Sequence, residues 1–255
     1  MGTVFTFKVE DDLDQDRIQS DVDIACSILD DADLRFSLYK PDSEISKLNA
    51  QQLSWERASP VQKDIREQVQ TWKETTGGFF DPVSPEGVYD PSGLVKTWAA
   101  SNAAMYLEAN GYRDFTLNAG GDVLLGPAVK SDVLNRVGLS NLKPISSKEG
   151  AVNMILDLRS TKFRAVATSG VAERGEHIWR RPSPGDDIQV KQATVVATDL
   201  ITADIWATAI VSGGSSAVEK FESSVDSELA VSVVTYSDGR VVSSPGFAGV
   251  LANLA

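Results

Sequence analysis

The chain has a single histidine, His177, in a polar stretch that runs into the Pro/Gly-rich segment Arg181-Pro-Ser-Pro-Gly185. Histidine is the side chain whose unperturbed pKa falls between pH 5 and 8, so His177 is a candidate for moving a proton. Further on, Ala203-Asp-Ile-Trp-Ala-Thr208 puts Asp204 and Thr208 four positions apart. On a helix they share a face. A carboxylate, a hydroxyl and a turn of exposed carbonyls suit a hard cation such as Mg²⁺. Upstream, Asp90-Pro-Ser-Gly93-Leu-Val-Lys96 opens a helix with a Gly-containing turn and a lysine. Free N–H groups and an ammonium at a helix start can cradle phosphate. The pattern is not that of a P-loop, which disfavours a P-loop nucleotidase. Asn118-Ala-Gly-Gly-Asp122 can bring backbone close to a flat ligand, since glycine permits close approach. Tyr39, Phe79 and Phe80 can stack on a heteroaromatic ring. Each feature also has a plain structural reading: a surface histidine, an Asp favoured by the helix dipole, a solvated lysine after a Pro-Ser helix start, a hairpin turn, core aromatics.

These residues need elements to hold them. Residues 1–10 alternate as a first strand, and Ile18, Val22, Ala25, Cys26 and Leu29 recur at helical spacing between Asp16 and Arg35. Ser43 can start a short helix carrying Ile45 and Leu48, and Ser59-Pro60 starts a longer one ended by Gly77-Gly78. A loop with Pro82, Pro85 and Pro91 leads to a third helix, Ser92 to Asn110, capped by Gly111. Strands are predicted at 115–118 and 123–125 around a tight Gly-Gly turn, then near 133–139, 152–158 and 163–167. Thr168-Ser169-Gly170 reads as a small-residue turn leading to the histidine. Thr202 is expected to cap a helix over 203–211 that ends at Gly213-Gly214, followed by a short helix near 216–223. A hairpin of 229–236 with 240–243 turns over Asp238-Gly239. No repeat, linker or low-complexity stretch interrupts residues 1–255, so the expectation is one α+β domain.

The composition, 42% hydrophobic and 24% charged over 255 residues, is that of a soluble globular protein. No apolar run approaches the roughly 20 residues of a membrane helix, and the start has no signal-peptide pattern, so the expected location is cytoplasmic. A net charge of −12 argues against general nucleic-acid binding. Cys26, the one cysteine, excludes an internal disulfide and falls on the apolar stripe of its helix, where a buried thiol is expected.

Taken together and in order, several blocks resemble the ApbE-type FAD:protein FMN transferases. They are Met1-Gly-Thr, Phe36-Ser-Leu-Tyr39, Ser43-Glu-Ile-Ser-Lys-Leu-Asn49, Gly78-Phe-Phe-Asp81-Pro, Asp90-Pro-Ser-Gly-Leu-Val-Lys96, Asn118-Ala-Gly-Gly-Asp122, Ala167-Thr-Ser-Gly170, His177-Ile and Ala203-Asp-Ile-Trp-Ala-Thr208. The resemblance spans residues 1 to about 214. It implies a single domain of the T-fold type, with mixed-to-antiparallel sheets packed with helices. By the same resemblance, Met1 and Tyr39 border the flavin ring, and Phe79, Phe80 and Asp81 line the FAD cleft. Asp90 and Lys96 hold ribose or diphosphate. The Gly93 and Ala207 carbonyls, with Asp204 and Thr208, bind Mg²⁺. Thr168 and Ser169 border the nucleotide, Ile178 packs against it, and His177 is the acid/base candidate. With Asn118, Gly121 and Asp122 at the turn, these are the candidate site residues.

The chain departs from the family pattern in three places, one being the link from Asp81 to Asp90, which is short as in the compact members of the family. Lys96-Thr97-Trp98 stands where the family often has Lys-Gly-aromatic, and Ile178-Trp-Arg-Arg-Pro-Ser-Pro-Gly185 replaces the usual Ile-Ile/Val-Asp-Pro-Arg-Thr-Gly, one residue longer and with Arg180 where the Asp would fall. The implied activity is Mg²⁺-dependent transfer of FMN from FAD to a Ser or Thr of an acceptor flavoprotein, releasing AMP, with FAD pyrophosphatase activity when water replaces the acceptor. The partners are FAD and the acceptor, with no nucleic acid and no membrane insertion, in a monomer or homodimer. The alternative is a non-catalytic FAD-binding or flavin-delivery protein. A flavin redox enzyme ranks last, because nothing resembles a nicotinamide site.

Overall fold

The computed structural model describes residues 2–131, 134–140, 152–159, 161–170, 179, 181 and 188–252. Local chemistry starts and stops most elements. Strand β1 (Phe5–Val9) is followed by helix α1 (Gln15–Phe36), whose first N–H groups are taken by the Asp14 carboxylate. Its stripe Ala25, Leu29, Ala32, Phe36 is buried at helical spacing. Cys26 lies one residue off that stripe and is exposed, contrary to the expected buried thiol. Ser43 caps the short helix α2 (Glu44–Asn49), and Ser59 caps α3 (Pro60–Thr75), with Pro60 in the first turn. Helix α4 (Ser92–Ala109) ends before Gly111, at φ 92°.

Strands β2 (Phe115–Ala119) and β3 (Asp122–Leu125) form a hairpin whose two loop residues, Gly120 and Gly121, have φ of 65° and 106°. A two-residue turn with both φ positive is the connection that matches strand twist, and it needs glycine or a near substitute. Strands β4 (Arg136–Ser140) and β5 (Val152–Asp157) form a separate hairpin. Strand β6 (Ala165–Gly170) contains the predicted small-residue turn Thr168-Ser169-Gly170, which is extended because β7 pairs along its whole length. Strand β7 (Val190–Ala197) was not anticipated from the sequence. The two helices predicted at 203–211 and 216–223 are one kinked element, α5 (Leu200–Ser224), broken at Gly214 (φ 63°, ψ −143°). Its cap is Asp199 rather than Thr202, whose N–H donates to Asp199 Oδ1 at 2.8 Å. Strands β8 (Ala230–Tyr236) and β9 (Val241–Ser243) complete the chain's final hairpin.

The main sheet has order β1-β2-β3-β6-β7-β8-β9, antiparallel throughout. Alternation divides its side chains between two apolar layers. Ala165, Ala167, Ala193, Val195 and Ala197 face the helices, with α5 across β6 and β7, α4 against α5, and α1 against α4. Val166, Val196, Val231 and Val233 face the other way, into a smaller cluster with Leu139 and Leu156 of the β4–β5 hairpin. The alanines on the helix side let α5 approach the sheet closely. No helix among the described residues is long and apolar enough to cross a membrane.

Candidate functional site

The N-terminal halves of α4 and α5 meet the start of β3 and the end of β6 on the helix face of the sheet. Asp122 opens β3, and its side chain points to that face, as does Leu124 two residues on. Lys96 comes from α4 and Asp204 from α5. Lys96 Nζ lies 2.5 Å from Asp122 Oδ2, and 3.3 and 3.2 Å from Asp204 Oδ1 and Oδ2. Both carboxylates are buried, with 3% and 4% of their side chains exposed, against 16% for the lysine. Burial pushes the Asp204 carboxyl up to about 6; Lys96 opposes that rise and the Asp122 charge adds to it. Asp204 Oδ2 accepts no hydrogen bond.

The hydroxyls beside this set divide by strand parity. Ser169 faces the helices, and its Oγ lies 3.1 Å from Thr208 Oγ1, one turn beyond Asp204. Thr168 faces the opposite layer, where its hydroxyl meets Thr194 of β7 at 2.9 Å. Only its backbone serves the site: Thr168 N–H donates to Asp122 Oδ1 at 3.0 Å. Thr194 was not anticipated as a neighbour of Thr168, because its strand was not.

The donors around Asp204 are hard oxygens, and one buried carboxylate oxygen stands without a hydrogen bond. This set fits Mg²⁺, which usually takes one or two protein carboxylates and completes its shell with water and substrate phosphate. Among the described residues no group of three or more His, Cys, Asp or Glu side chains converges as a cage. Hydroxyl, carbonyl and substrate oxygens would have to supply the rest.

A model of the ApbE family matches residues 1–88 and 84–232. The chain belongs to the ApbE family. Solved structures with this architecture include the flavin transferase ApbE from Vibrio cholerae, 21% identical with a TM-score of 0.71 over 98% of this chain and 96% of that one. The ApbE protein from Thermotoga maritima is 18% identical with a TM-score of 0.74, over 99% and 97%. The apo flavinyl transferase ApbE from Pseudomonas stutzeri is 17% identical with a TM-score of 0.70, over 99% and 95%. A search of curated proteins gives no match.

Within this ApbE fold the other candidate residues have varied placements. Gly93 sits in the first turn of α4, so close to the buried Phe80 ring that a Cβ would lie 2.9 Å from Phe80 Cε2. Phe79 covers Gly213 of α5, where a Cβ would lie 2.2 Å from its ring. Both rings therefore pack the end of α3 onto α4 and α5. Ala207 is buried one residue before Thr208. Tyr39 is 88% exposed in the loop after α1. Asp90 Oδ1 accepts the Ser92 N–H at 2.9 Å, shaping the entry to α4. Asn118 Oδ1 accepts the Gly121 N–H at 2.8 Å and closes the hairpin turn. Met1, His177 and Ile178 lie outside the described residues.

Asp81 is held in a way the sequence did not signal. Its Oδ2 is 2.9 Å from Lys73 Nζ and 2.9 Å from Arg181 Nη2, and its Oδ1 accepts the Val83 N–H. Arg181 also donates through its guanidinium to the Val83 carbonyl and through its backbone to the Ser212 carbonyl, while Ser212 Oγ donates to the Trp179 carbonyl at 2.6 Å. This clasp joins the segment after His177 to the Phe79-Phe80-Asp81 turn and to α5 just before its kink. A cation pair on one aspartate, gathered from residues 73, 81 and 181, carries no local sequence pattern.

Proposed function

We propose that the chain is an FAD:protein FMN transferase, moving FMN from FAD to a Ser or Thr hydroxyl of an acceptor flavoprotein and releasing AMP. The observation that carries this reading is the meeting, in an ApbE-family chain, of Lys96 from α4 with the buried Asp204 from α5, with Thr208 one turn further along the same helix and in contact with Ser169. In the reaction, the acceptor hydroxyl oxygen attacks the phosphorus on the FMN side of the pyrophosphate. The bond to the bridging oxygen breaks, and AMP departs with the electron pair. Lys96 offers an ammonium, and the start of α4 a helix N-terminus, to the negative diphosphate. Asp204 and Thr208, with the Gly93 and Ala207 carbonyls, would hold Mg²⁺. When bound, that ion neutralises charge on the diphosphate and on departing AMP. Ser169 orients the Thr208 hydroxyl. Tyr39, exposed after α1, supplies an aromatic face for the flavin ring, and Asp90, at the entry to α4, is the ribose partner in this reading. His177 takes the proton from the acceptor hydroxyl, and Met1 and Ile178 border the flavin and nucleotide. Water in place of the acceptor gives FAD hydrolysis at the same site.

The test incubates the protein with FAD, Mg²⁺ and a candidate acceptor domain. AMP and a flavin-labelled acceptor are the expected products. Tight FAD binding with neither product would overturn the transferase reading in favour of a flavin-binding protein.

A further inference from the structure

We propose that Lys96 is a built-in placeholder for the divalent cation, anchored by Asp122 and resting on Asp204 until the cation takes its place. This rests on the reading of Asp204 and Thr208 as cation ligands. The lysine's contacts are unequal. The 2.5 Å contact is to Asp122, whereas the ammonium stands 3.3 and 3.2 Å from the two Asp204 oxygens, hydrogen-bonded only to the first, with the Thr97 side chain as a further donor to Asp204. A carboxylate this deep is costly to ionise without a positive partner. Among the described residues one ammonium serves the two carboxylates, leaving a negative surplus that a doubly charged ion would balance better.

The direction of exchange follows from what each carboxylate already holds. Asp122 is engaged through both oxygens, Oδ2 by Lys96 and Oδ1 by the Thr168 N–H, which ties it to the sheet. Asp204 shares a face of α5 with Thr208, one turn on, and holds Lys96 at longer distances than Asp122 does. A cation arriving there displaces the ammonium from Asp204 and leaves it on Asp122. Asp122 is then a positioning residue for Lys96 rather than a contact of the flavin nucleotide. An ammonium has three donors, so the one freed from Asp204 becomes available to the diphosphate. Cation binding would thereby both complete the site and arm its lysine.

Calorimetric titration with Mg²⁺ alone, up to tens of millimolar and without FAD, together with melting temperatures with and without Mg²⁺, tests this in the full chain. Lys96→Met is expected to melt lower than wild type without metal, and saturating Mg²⁺ should restore it to the Mg²⁺-loaded wild-type value. Its Mg²⁺ affinity should be about tenfold tighter or more. Asp122→Asn should bind Mg²⁺ about tenfold more weakly, because the undivided ammonium settles on Asp204. A melting loss in Lys96→Met that Mg²⁺ does not restore, or unchanged or weaker affinity in that variant, overturns the proposal. So does the absence of binding in both wild type and Lys96→Met. If Lys96→Met does not fold even with Mg²⁺, Asp122→Asn decides: weaker binding supports the placeholder, and equal or tighter binding sinks it. Because no readout uses FAD or an acceptor, a failed transferase assay leaves these outcomes separate.

Discussion

Two ionic clusters in this molecule are built with opposite stoichiometry. At the α4–α5–β3 junction, two buried carboxylates, Asp122 and Asp204, share the single ammonium of Lys96. At the α3 end, one buried carboxylate, Asp81, is shared by two half-exposed cations, Lys73 and Arg181. Among the described residues the first is short of positive charge and has a carboxylate oxygen with no hydrogen bond. The second has positive charge to spare, and both its carboxylate oxygens are used. A deficit in a buried place is a reason to bind a cation. A saturated aspartate whose partners reach solvent fastens chain to chain. On the proposed reading, the same residue types serve ligand binding in one place and assembly in the other.

The sharpest way to break the contrast is Asp204→Ala. It removes the proposed cation ligand but leaves Lys96 paired with Asp122, so the protein should stay folded while Mg²⁺-dependent AMP release falls about 10²–10³-fold or more. Turnover near wild type would take Asp204 out of the cation site. His177→Ala comes next, with turnover about a hundredfold lower and FAD affinity nearly unchanged; unaltered turnover across pH would remove its acid/base role. On the clasp side, Gly213→Ala drives a methyl into the Phe79 ring beside Ser212 and should cost about 1–3 kcal/mol in denaturant unfolding. An unchanged midpoint would mean that Phe79 does not fasten α5. Asp81→Ala should cost less, about 1 kcal/mol, because both partner cations reach solvent. Its effect should appear in stability more than in Mg²⁺ affinity, and a large loss of Mg²⁺ binding would join the two clusters.

Asp21 offers a third arrangement, a carboxylate held mainly by neutral donors. Tyr112 and Tyr106 donate to it at 2.9 and 3.0 Å. The Tyr112 hydrogen bond leads in drawing its pKa below 3.8, burial opposes this, and Tyr106 and Arg17 assist. A folded-state pKa below the unfolded one means stability present above pH 3.8 and lost as the pH falls through the folded value. Asp21→Asn should therefore melt slightly lower at pH 7 and lose less than wild type as the pH falls below about 4. Parallel acid profiles would exclude this contribution.

Much of this was legible in advance. Ser59-Pro60, Gly111 and the Gly120-Gly121 turn state their conformations locally, since capping and positive φ are set by one or two residues. Asp204 and Thr208 share a face because helix geometry puts i and i+4 together. Strand β7 was not legible. Val190–Ala197 is buried almost throughout, so it lacks the alternation that marks a half-exposed strand. Missing it hid Thr194, and with it the reason Thr168 turns away from Ser169. The turn predicted at 168–170 follows small-residue propensity, which pairing with β7 overrides.

The sequence by itself determined the donor types, their helical spacing, the family resemblance and most element boundaries, because these depend on side-chain chemistry and on neighbours within a few residues. Only the tertiary structure decided who holds whom. Lys96 reaches across 26 residues to Asp122 and across 108 to Asp204. Arg181 reaches back to Asp81 through α5 and the turn after α3. Those partnerships depend on sheet register, on the face each strand residue takes and on how closely α5 lies over the alanines of β6 and β7. Such distances are fixed only when the whole layer packs.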